Sequence, residues 1–420
     1  MRSARRVRRA GGRARLGEGL RVLVLTQHYA PEENAPALRW SWLAEAFGAH
    51  GLHVDVITAT WADELRGVQT DARVTVHRVR SLVHGKRIVR RLLNETIFDL
   101  KAMWVAVRLA RPDVVVVSVP PLGSVPLAGA LRLVLRRPLV LEMRDTWPEL
   151  LEQWKEWSDG GEGRRAYGYG EVVVGAVLRV LRRYLLRIQR RAALVVTTTD
   201  DYAAAISARV DGEVLCVRNA FPSAARSNGS PRGDRLRVLY LGNVGRSQHL
   251  ATAVRAAARV HERGGLMVLR IVGDGAHLSH VKALARRLEA PVEFVARTQR
   301  AHVADHYEWA DTVLVLLRDW PSMRQTVPSK LYEAIQTGRH VSASLAGEAA
   351  RIVSESAAGD VVPPKDSDAL ADLWMSLIAE PSRLRGSSDL QWLRKNVDQG
   401  RLATEYVRAL HRVVREAAAA

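Results

Sequence analysis

At 420 residues the chain is long enough for two cores, and 47% hydrophobic with 25% charged residues describes a soluble globular protein rather than a disordered one. Lysine and arginine number 63 against 44 aspartates and glutamates; the formal net charge of +19 favours anionic partners such as phosphates, nucleotides or acidic lipid headgroups. The single cysteine, Cys216, excludes a disulfide framework and a cysteine-built metal site, and it fits a reducing, cytoplasmic compartment.

The first twenty residues, MRSARRVRRAGGRARLGEGL, are arginine-rich and hold no apolar run, which excludes a secretory signal. They read as a disordered leader or as a start codon assigned too early; a basic arm touching anionic lipid is the alternative. From Arg21, β-branched runs alternate with amphipathic windows. Strands are expected at RVLVLT (21–26), HVDVITA (53–59), RVTVHRV (73–79), DVVVVSV (113–119), PLVLEM (138–143) and ALVVTT (193–198), with helices around 36–50, 94–110, 124–136 and 174–191. The uncharged window VVVVSVPPLGSVPLAGAL (114–131) contains three prolines and two glycines, so it reads as a buried strand, a turn and a helix rather than a membrane span.

The stretch NAFPSAARSNGSPRGDR (219–235) is rich in Pro, Ser, Gly and Asn and reads as a linker. Alternation then resumes with strands at LRVLYLG (236–242), MVLRIVG (267–273), PVEFVA (291–296), TVLVLL (312–317) and HVSASL (340–345), and helices near 248–263, 276–289, 300–310 and 328–337. Strands alternating with helices give parallel sheets. The expected fold class is therefore α/β, with two doubly wound Rossmann-like domains over 21–218 and 236–400, a cleft between them, and a last helix over 401–420. No zinc spacing, RNP-type aromatic signature or helix-turn-helix is visible, so nucleic acid is not expected as a partner.

Ligands in such sheets bind beyond the carboxyl ends of the strands. VPSKLYEAIQTGR (327–339) lies there. Pro328 suits a helix start and Gly338 the left-handed residue after its end. The free amides and positive dipole near Ser329 and Lys330 make an anion site, to which Lys330 adds a full charge. Glu333, one turn on, is placed to accept bonds from a ribose diol, while Leu331, Ala334 and Ile335 face the core. A capped surface helix with a Lys–Glu pair is the plain alternative. In LGNVGRSQHL (241–250), Gly242 and Gly245 permit close backbone approach and Arg246 can meet a phosphate. IVGDGAHL (271–278) contributes Gly273 by a weaker signal, since a helix-capping Asp274 explains it equally. In the first domain, TQHYAPEENAPALRW (26–40) offers Arg39 to an anion across the cleft, or else is a long loop with a surface arginine. EMRDTWPEL (142–150) gathers Arg144, Asp145 and Trp147 at a strand end, where Asp145 can take a proton or steady positive charge; an Arg–Asp pair pinning a loop is the alternative.

Together these pieces resemble the retaining family 4 glycosyltransferases, which have the GT-B fold, and within them the WbuB-like branch of surface-polysaccharide synthesis. The resemblance runs from residue 21 to about 410 through QHYAPEENAPALR, PDVVVVSVPPL, EMRDTWPE, GNVGRSQHL, VGDG, VPSKLYEAIQTGR and GEAARIVSESAAG. It implies a nucleotide-sugar donor, usually a UDP-sugar, on the second domain, and the acceptor on the first. Glu333 would hold the ribose. Lys330, Arg246 and the amides near Ser329 and Leu331 would hold the diphosphate, with Gly242, Asn243, Gly245 and Gly273 lining the site and backbone near Thr298 meeting the base. Asp145 would stand nearest the reacting centre, and Asn34, Arg39, Arg144 and Trp147 on the acceptor side. No metal or other cofactor is implied, because side chains and a helix end neutralise the leaving diphosphate. The last helix would cross back to the first domain. The chain departs from the family at three points: Gln325 stands where the E-x7-E motif has its first glutamate, Arg246-Ser247-Gln248 lacks a common lysine, and Asn34-Ala35 replaces a frequent glycine.

The segment 164–193 sets Val174, Val177, Leu178, Leu181, Leu185 and Ile188 on one helical stripe, with Arg179, Arg182, Arg183, Arg187 and Arg190 elsewhere around it. Such a helix suits an anionic membrane surface, or it docks its stripe in the core; RSLVHGKRIVRRLL (80–93) adds a second basic, apolar run. The expected activity is sugar transfer from a nucleotide diphosphate to a lipid-linked or hydrophobic acceptor, by a cytoplasmic enzyme peripheral on the inner membrane face. A natural-product glycosyltransferase and a catalytically silent nucleotide-sugar-binding partner are the alternatives.

Overall fold

The computed structural model describes residues 19–60, 67–71, 73–81, 88–120, 123–150, 169–220, 234–384 and 390–419. The first domain contains β1 (Arg21–Leu25), α1 (Ala35–Ala49), β2 (His53–Thr60), β3 (Gly67–Asp71), β4 (Val74–Arg80), α2 (Ile88–Ala106), β5 (Val114–Val119), α3 (Ser124–Leu135), β6 (Leu139–Met143), α4 (Tyr169–Arg190), β7 (Leu194–Thr197), α5 (Asp200–Ser207) and β8 (Glu213–Cys216). Its eight strands run in the order β3-β4-β2-β1-β5-β6-β7-β8. All pair in parallel except β3, which lies antiparallel to β4 at the edge. Every residue of β5, VVVVSV, is buried, as a parallel strand covered on both faces requires.

The second domain contains β9 (Leu236–Leu241), α6 (Ala251–Glu262), β10 (Met267–Val272), α7 (Leu278–Arg287), β11 (Val292–Val295), α8 (Val303–Trp309), β12 (Thr312–Leu316), α9 (Pro321–Arg324), α10 (Ser329–Thr337), β13 (His340–Ser344), α11 (Glu348–Glu355), β14 (Gly359–Val362), α12 (Ser367–Ala379), α13 (Leu390–Asn396) and α14 (Gln399–Ala419). Its six-stranded parallel sheet has the order β11-β10-β9-β12-β13-β14. In each sheet the order reverses beside the first strand, between β1 and β5 and between β9 and β12. These two switch points open at the carboxyl ends, where an open α/β sheet leaves a crevice. The fold is thus two parallel-sheet Rossmann-like domains.

The domains touch through polar contacts. The Thr199 hydroxyl donates to the Gln325 carbonyl at 2.8 Å, and the Thr146 hydroxyl to the Ser322 carbonyl at 3.4 Å. Helix α14 packs on α1 of the first domain, with Phe47 and Tyr406 edge to face at 5.1 Å and Arg412 paired to Glu213. Strands β3, β8 and β14 and helices α5, α9, α11, α12 and α13 were not expected from patterning. The strands are four or five residues long; β3 is exposed where its burial is described and β8 and β14 are mostly half-buried, so none carries a strong alternation. Most of the expected linker, residues 221–233, lies outside the described residues, as does 1–18 of the leader. Among the described residues no helix is long and apolar enough to cross a membrane, and the window 114–131 divides into β5 and α3.

Candidate active site

The site builds outward from the β9–β12 switch point. Strand β9 is followed at once by Gly242, whose φ of 142° few other residues tolerate. A Cβ there would lie 2.7 Å from Lys330 Nζ, so the bare glycine lets the lysine fold across the turn. Lys330 Nζ donates to the Tyr240 hydroxyl at 2.8 Å and sits 4.0 Å from the centre of that ring. The hydroxyl in turn donates to the Asn243 carbonyl at 2.5 Å. Dehydration in this nook pushes the Lys330 ammonium down to about 7, against a smaller opposing pull from Glu333. An anion arriving here would restore the full charge.

Helix α10 starts after Pro328, with no side chain capping its first amides, and ends at Gly338 with φ 72°. The amides of Ser329 and Lys330 therefore face outward at the positive end of the helix dipole. Leu331 corrects the expectation: its amide donates to the Pro328 carbonyl at 2.9 Å and its side chain is buried, so it is not a free donor. Glu333 lies half-buried one turn on and accepts from the Tyr307 hydroxyl at 3.4 Å. Burial raises its carboxyl, while Arg300, Tyr307 and Lys330 pull it back. Thr298 is half-buried in the loop after β11, two residues before Arg300, whose charge acts on Glu333.

On the opposite rim, Gly245 donates its amide to Gln248 Oε1 at 3.1 Å, and Arg246 Nε donates to His277 Nε2 at 2.9 Å. An imidazole nitrogen that accepts from a guanidinium is unprotonated. Burial, Arg246 and His280 all hold His277 below its usual value. Arg246 is thus oriented by a neutral partner that leaves its charge uncompensated. Gly273, at φ 144°, closes the floor, since a Cβ there would lie 2.0 Å from the Gly242 carbonyl oxygen.

Residues 34–220 match the family model described as Glycosyl transferase 4-like domain, and residues 235–380 match Glycosyl transferases group 1. Between them the two models take in most of both domains. The chain is a family 4 glycosyltransferase. Among solved structures it is similar to sucrose-phosphate synthase of Thermosynechococcus elongatus (TM-score 0.66, 17% identity, 94% of this chain and 97% of that one). It is also similar to HepE of Anabaena in complex with UDP-glucose (0.65, 15%, 93% and 99%) and to WaaG, a glycosyltransferase involved in lipopolysaccharide biosynthesis (0.63, 17%, 93% and 99%). At these identities the likeness is one of fold, here GT-B. No curated sequence matches the chain.

The first domain of the glycosyltransferase presents fewer of the expected residues. Asp145 is half-buried after β6; burial raises its carboxyl and the Arg144 charge lowers it. Arg144 Nε donates to Ser118 Oγ at 3.0 Å and its terminal nitrogen to the Pro120 carbonyl at 2.8 Å, so it clamps the β5 turn to the β6 turn. Arg39 is not at the cleft surface. It is 1% exposed, pairs with the fully buried Glu142 at 2.9 Å, and donates to the Arg218 carbonyl at 3.1 Å and to Asn219 Oδ1 at 3.2 Å. A solitary buried guanidinium would be too costly, so it recruits a carboxylate and the chain crossing. Trp147 is likewise a core residue, 8% exposed, whose carbonyl accepts from the Tyr202 hydroxyl at 2.6 Å. Asn34 caps α1 by accepting from the Ala37 amide at 2.9 Å, while its amide nitrogen donates to Glu32 at 2.6 Å.

Gln325 is half-buried at the end of α9, where its carbonyl meets Thr199. Gly347 packs on this segment at φ 70°, and a Cβ there would fall 1.9 Å from the Arg324 carbonyl oxygen. Sequence reading missed Tyr240, His277, Tyr307 and Glu348. Tyr240 stands on β9 two residues before Gly242; its position next to a glycine turn was the one available signal. Nothing in spacing links His277 to Arg246 across 31 residues.

Proposed function

We propose that the enzyme moves a sugar from a nucleotide diphosphate, in the first place a UDP-sugar, to a lipid-linked acceptor with retention, as a member of the WbuB-like branch of surface-polysaccharide synthesis. The observation that carries the donor half is Lys330, held by Tyr240 over a glycine turn at the uncapped start of α10, with Glu333 one turn beyond. An ammonium, two free amides and the uncompensated charge of Arg246 make a diphosphate cradle, and Glu333 beside Tyr307 holds the ribose. HepE is a GT-B protein in complex with UDP and with UDP-glucose, which favours uridine for the base near Thr298.

In this reading the bond from the anomeric carbon to the diphosphate breaks as the acceptor oxygen attacks on the same face. The departing phosphate oxygen takes the acceptor proton, leaving UDP and the glycosylated acceptor. Asp145 steadies the developing positive charge at the sugar, and Gln325 bonds a sugar hydroxyl without adding charge. Side chains and the helix end neutralise the leaving group without a metal. The acceptor half is supported by the basic, amphipathic α4, a helix suited to the inner face of the cytoplasmic membrane.

The test is a panel of UDP- and GDP-sugars scored by thermal stabilisation, followed by transfer to a short polyprenyl phosphate with and without EDTA. One donor at a hundred times its Kd should stabilise the protein by about 2.7 kcal/mol. Lys330→Ala and Glu333→Ala should abolish that shift, and EDTA should leave transfer intact. If no nucleotide sugar raises Tm, or both variants bind as the wild type does, the reading fails.

A further inference from the structure

Among the described residues nine large hydrophobic side chains are exposed, and seven of them share one face of the first domain. Leu100, Trp104 and Val107 lie on α2 or just past its end, Leu133 and Val134 on α3, and Val180 and Tyr184 on α4. Helix α3 packs between the other two. At its centre, a Cβ on Gly129 would lie 2.9 Å from Ile188 and 3.5 Å from the Tyr184 hydroxyl, so α3 and α4 are in close contact. Of the stripe expected on α4, Leu185 and Ile188 are buried and Leu178 and Leu181 pack against the core, while Val180 at 66% and Tyr184 at 46% exposure, outside that stripe, look outward. Leu133, at 75%, is the most exposed of all.

The same face is basic. Lys101, Arg108, Arg132, Arg179, Arg183 and Arg187 are all exposed, and among the residues of the three helices whose burial is described none that is exposed is acidic. The Arg108 guanidinium lies 3.6 Å over the Trp104 ring, so an indole and a cation are presented together.

We infer that this three-helix face is the surface on which the enzyme lies against an anionic lipid bilayer, an inference that rests on the membrane-bound reading of its function. An apolar patch of this extent marks an interaction site. Its charge decides what covers it. A second copy docked face to face would set arginine against arginine with no acid to meet them. The chain's own leader is itself arginine-rich and would be repelled. A bilayer bearing anionic headgroups answers both properties, accepting the tryptophan, tyrosine and leucines at the headgroup boundary and the arginines at the phosphates. The face includes α2 and α3 and is not a property of α4 alone.

The test is flotation of the full chain with vesicles of phosphatidylcholine alone and with vesicles containing 30% phosphatidylglycerol. Binding is expected only with the anionic lipid and should be lost in 0.5 M NaCl. Replacing Arg179, Arg183 and Arg187 together by Gln should weaken it by roughly a hundredfold. Trp104→Glu with Leu133→Glu should weaken it at least as much, whereas Leu266→Glu, on an exposed site of the second domain, should not. Each variant must first show wild-type Tm and a wild-type shift with the donor sugar; if the Glu pair unfolds the protein, quenching of Trp104 by brominated lipid replaces it. Anionic vesicles left unbound, or bound equally by the variants of this face, overturn the inference. So does conversion of a dimer to a monomer by these variants with vesicle binding unchanged. A membrane-bound enzyme that fails to use a polyprenyl acceptor defeats the acceptor reading and leaves this face standing.

Discussion

Glu348 of the second domain and Arg218 of the first form an ion pair at 2.5 Å with almost no exposed surface on either side chain. Glu348 also accepts from the amides of Asp200 at 3.2 Å and Asp201 at 2.8 Å, so it caps a helix in the other domain. Arg218 reaches the Tyr332 hydroxyl at 3.1 Å, on the same helix as Lys330 and Glu333. A single buried carboxylate thus ties the chain crossing, α5 and the donor helix together.

Removing that carboxylate leaves a buried guanidinium short of a partner and two helix amides uncapped. Glu348→Ala should destabilise the enzyme by about 3–5 kcal/mol, read as a fall in Tm by calorimetry. The loss should exceed that of Asp201→Ala, whose partner Arg351 is half exposed. Equal losses would mean the pair is not the tie described.

Lys330 should couple donor binding to pH. Its ammonium falls to about 7 in the free enzyme, and a bound diphosphate raises it again. Above pH 7 binding must therefore take up a proton, and affinity should weaken as pH rises from 7 toward 9. In the free protein the sign is opposite: the unfolded chain holds this proton up to about 10.5, so the lysine's contribution to stability grows with pH between 7 and 10.5. Titration calorimetry at pH 8 in buffers of different ionisation enthalpy measures the uptake. Lys330→Arg, which does not titrate, should remove it.

Two glycines should fail in different ways. At Gly242 the added methyl meets the mobile end of Lys330, at Gly347 a fixed carbonyl. Gly242→Ala should raise the donor KM more than it lowers Tm. Gly347→Ala should lower Tm sharply, since a contact of 1.9 Å can be relieved only by moving the backbone between Arg324 and Gln325. Parallel KM and Tm measurements on both variants decide the matter.

Arg39 should behave as a structural residue. Arg39→Met strands Glu142 and should cost about 3–5 kcal/mol, whereas the double change with Glu142→Met should recover much of that loss. Donor KM should stay within about twofold in any variant that folds. A selective rise in KM at unchanged stability would return Arg39 to the cleft.

The eleven strands expected from the sequence all formed; β5, buried on both faces and therefore apolar nearly throughout, reads most plainly, while β4 and β11 were marked by their β-branched and aromatic residues. The start and end of α10 were equally legible, since Pro328 and Gly338 act through their own backbone geometry. Short β3, exposed at the sheet edge, and half-buried β8 and β14 were not legible, because so few residues with no sustained apolar run leave the pairing to their neighbours. The same holds for side-chain partners. A sequence shows that Arg39, Arg246 and Lys330 are cations near strand ends, and local chemistry alone determines that much. Whether a cation is spent on a buried Glu142, oriented by a neutral His277 or laid over the Tyr240 ring depends on groups 103, 31 and 90 residues away, so only the folded chain could decide which of them remain for a ligand.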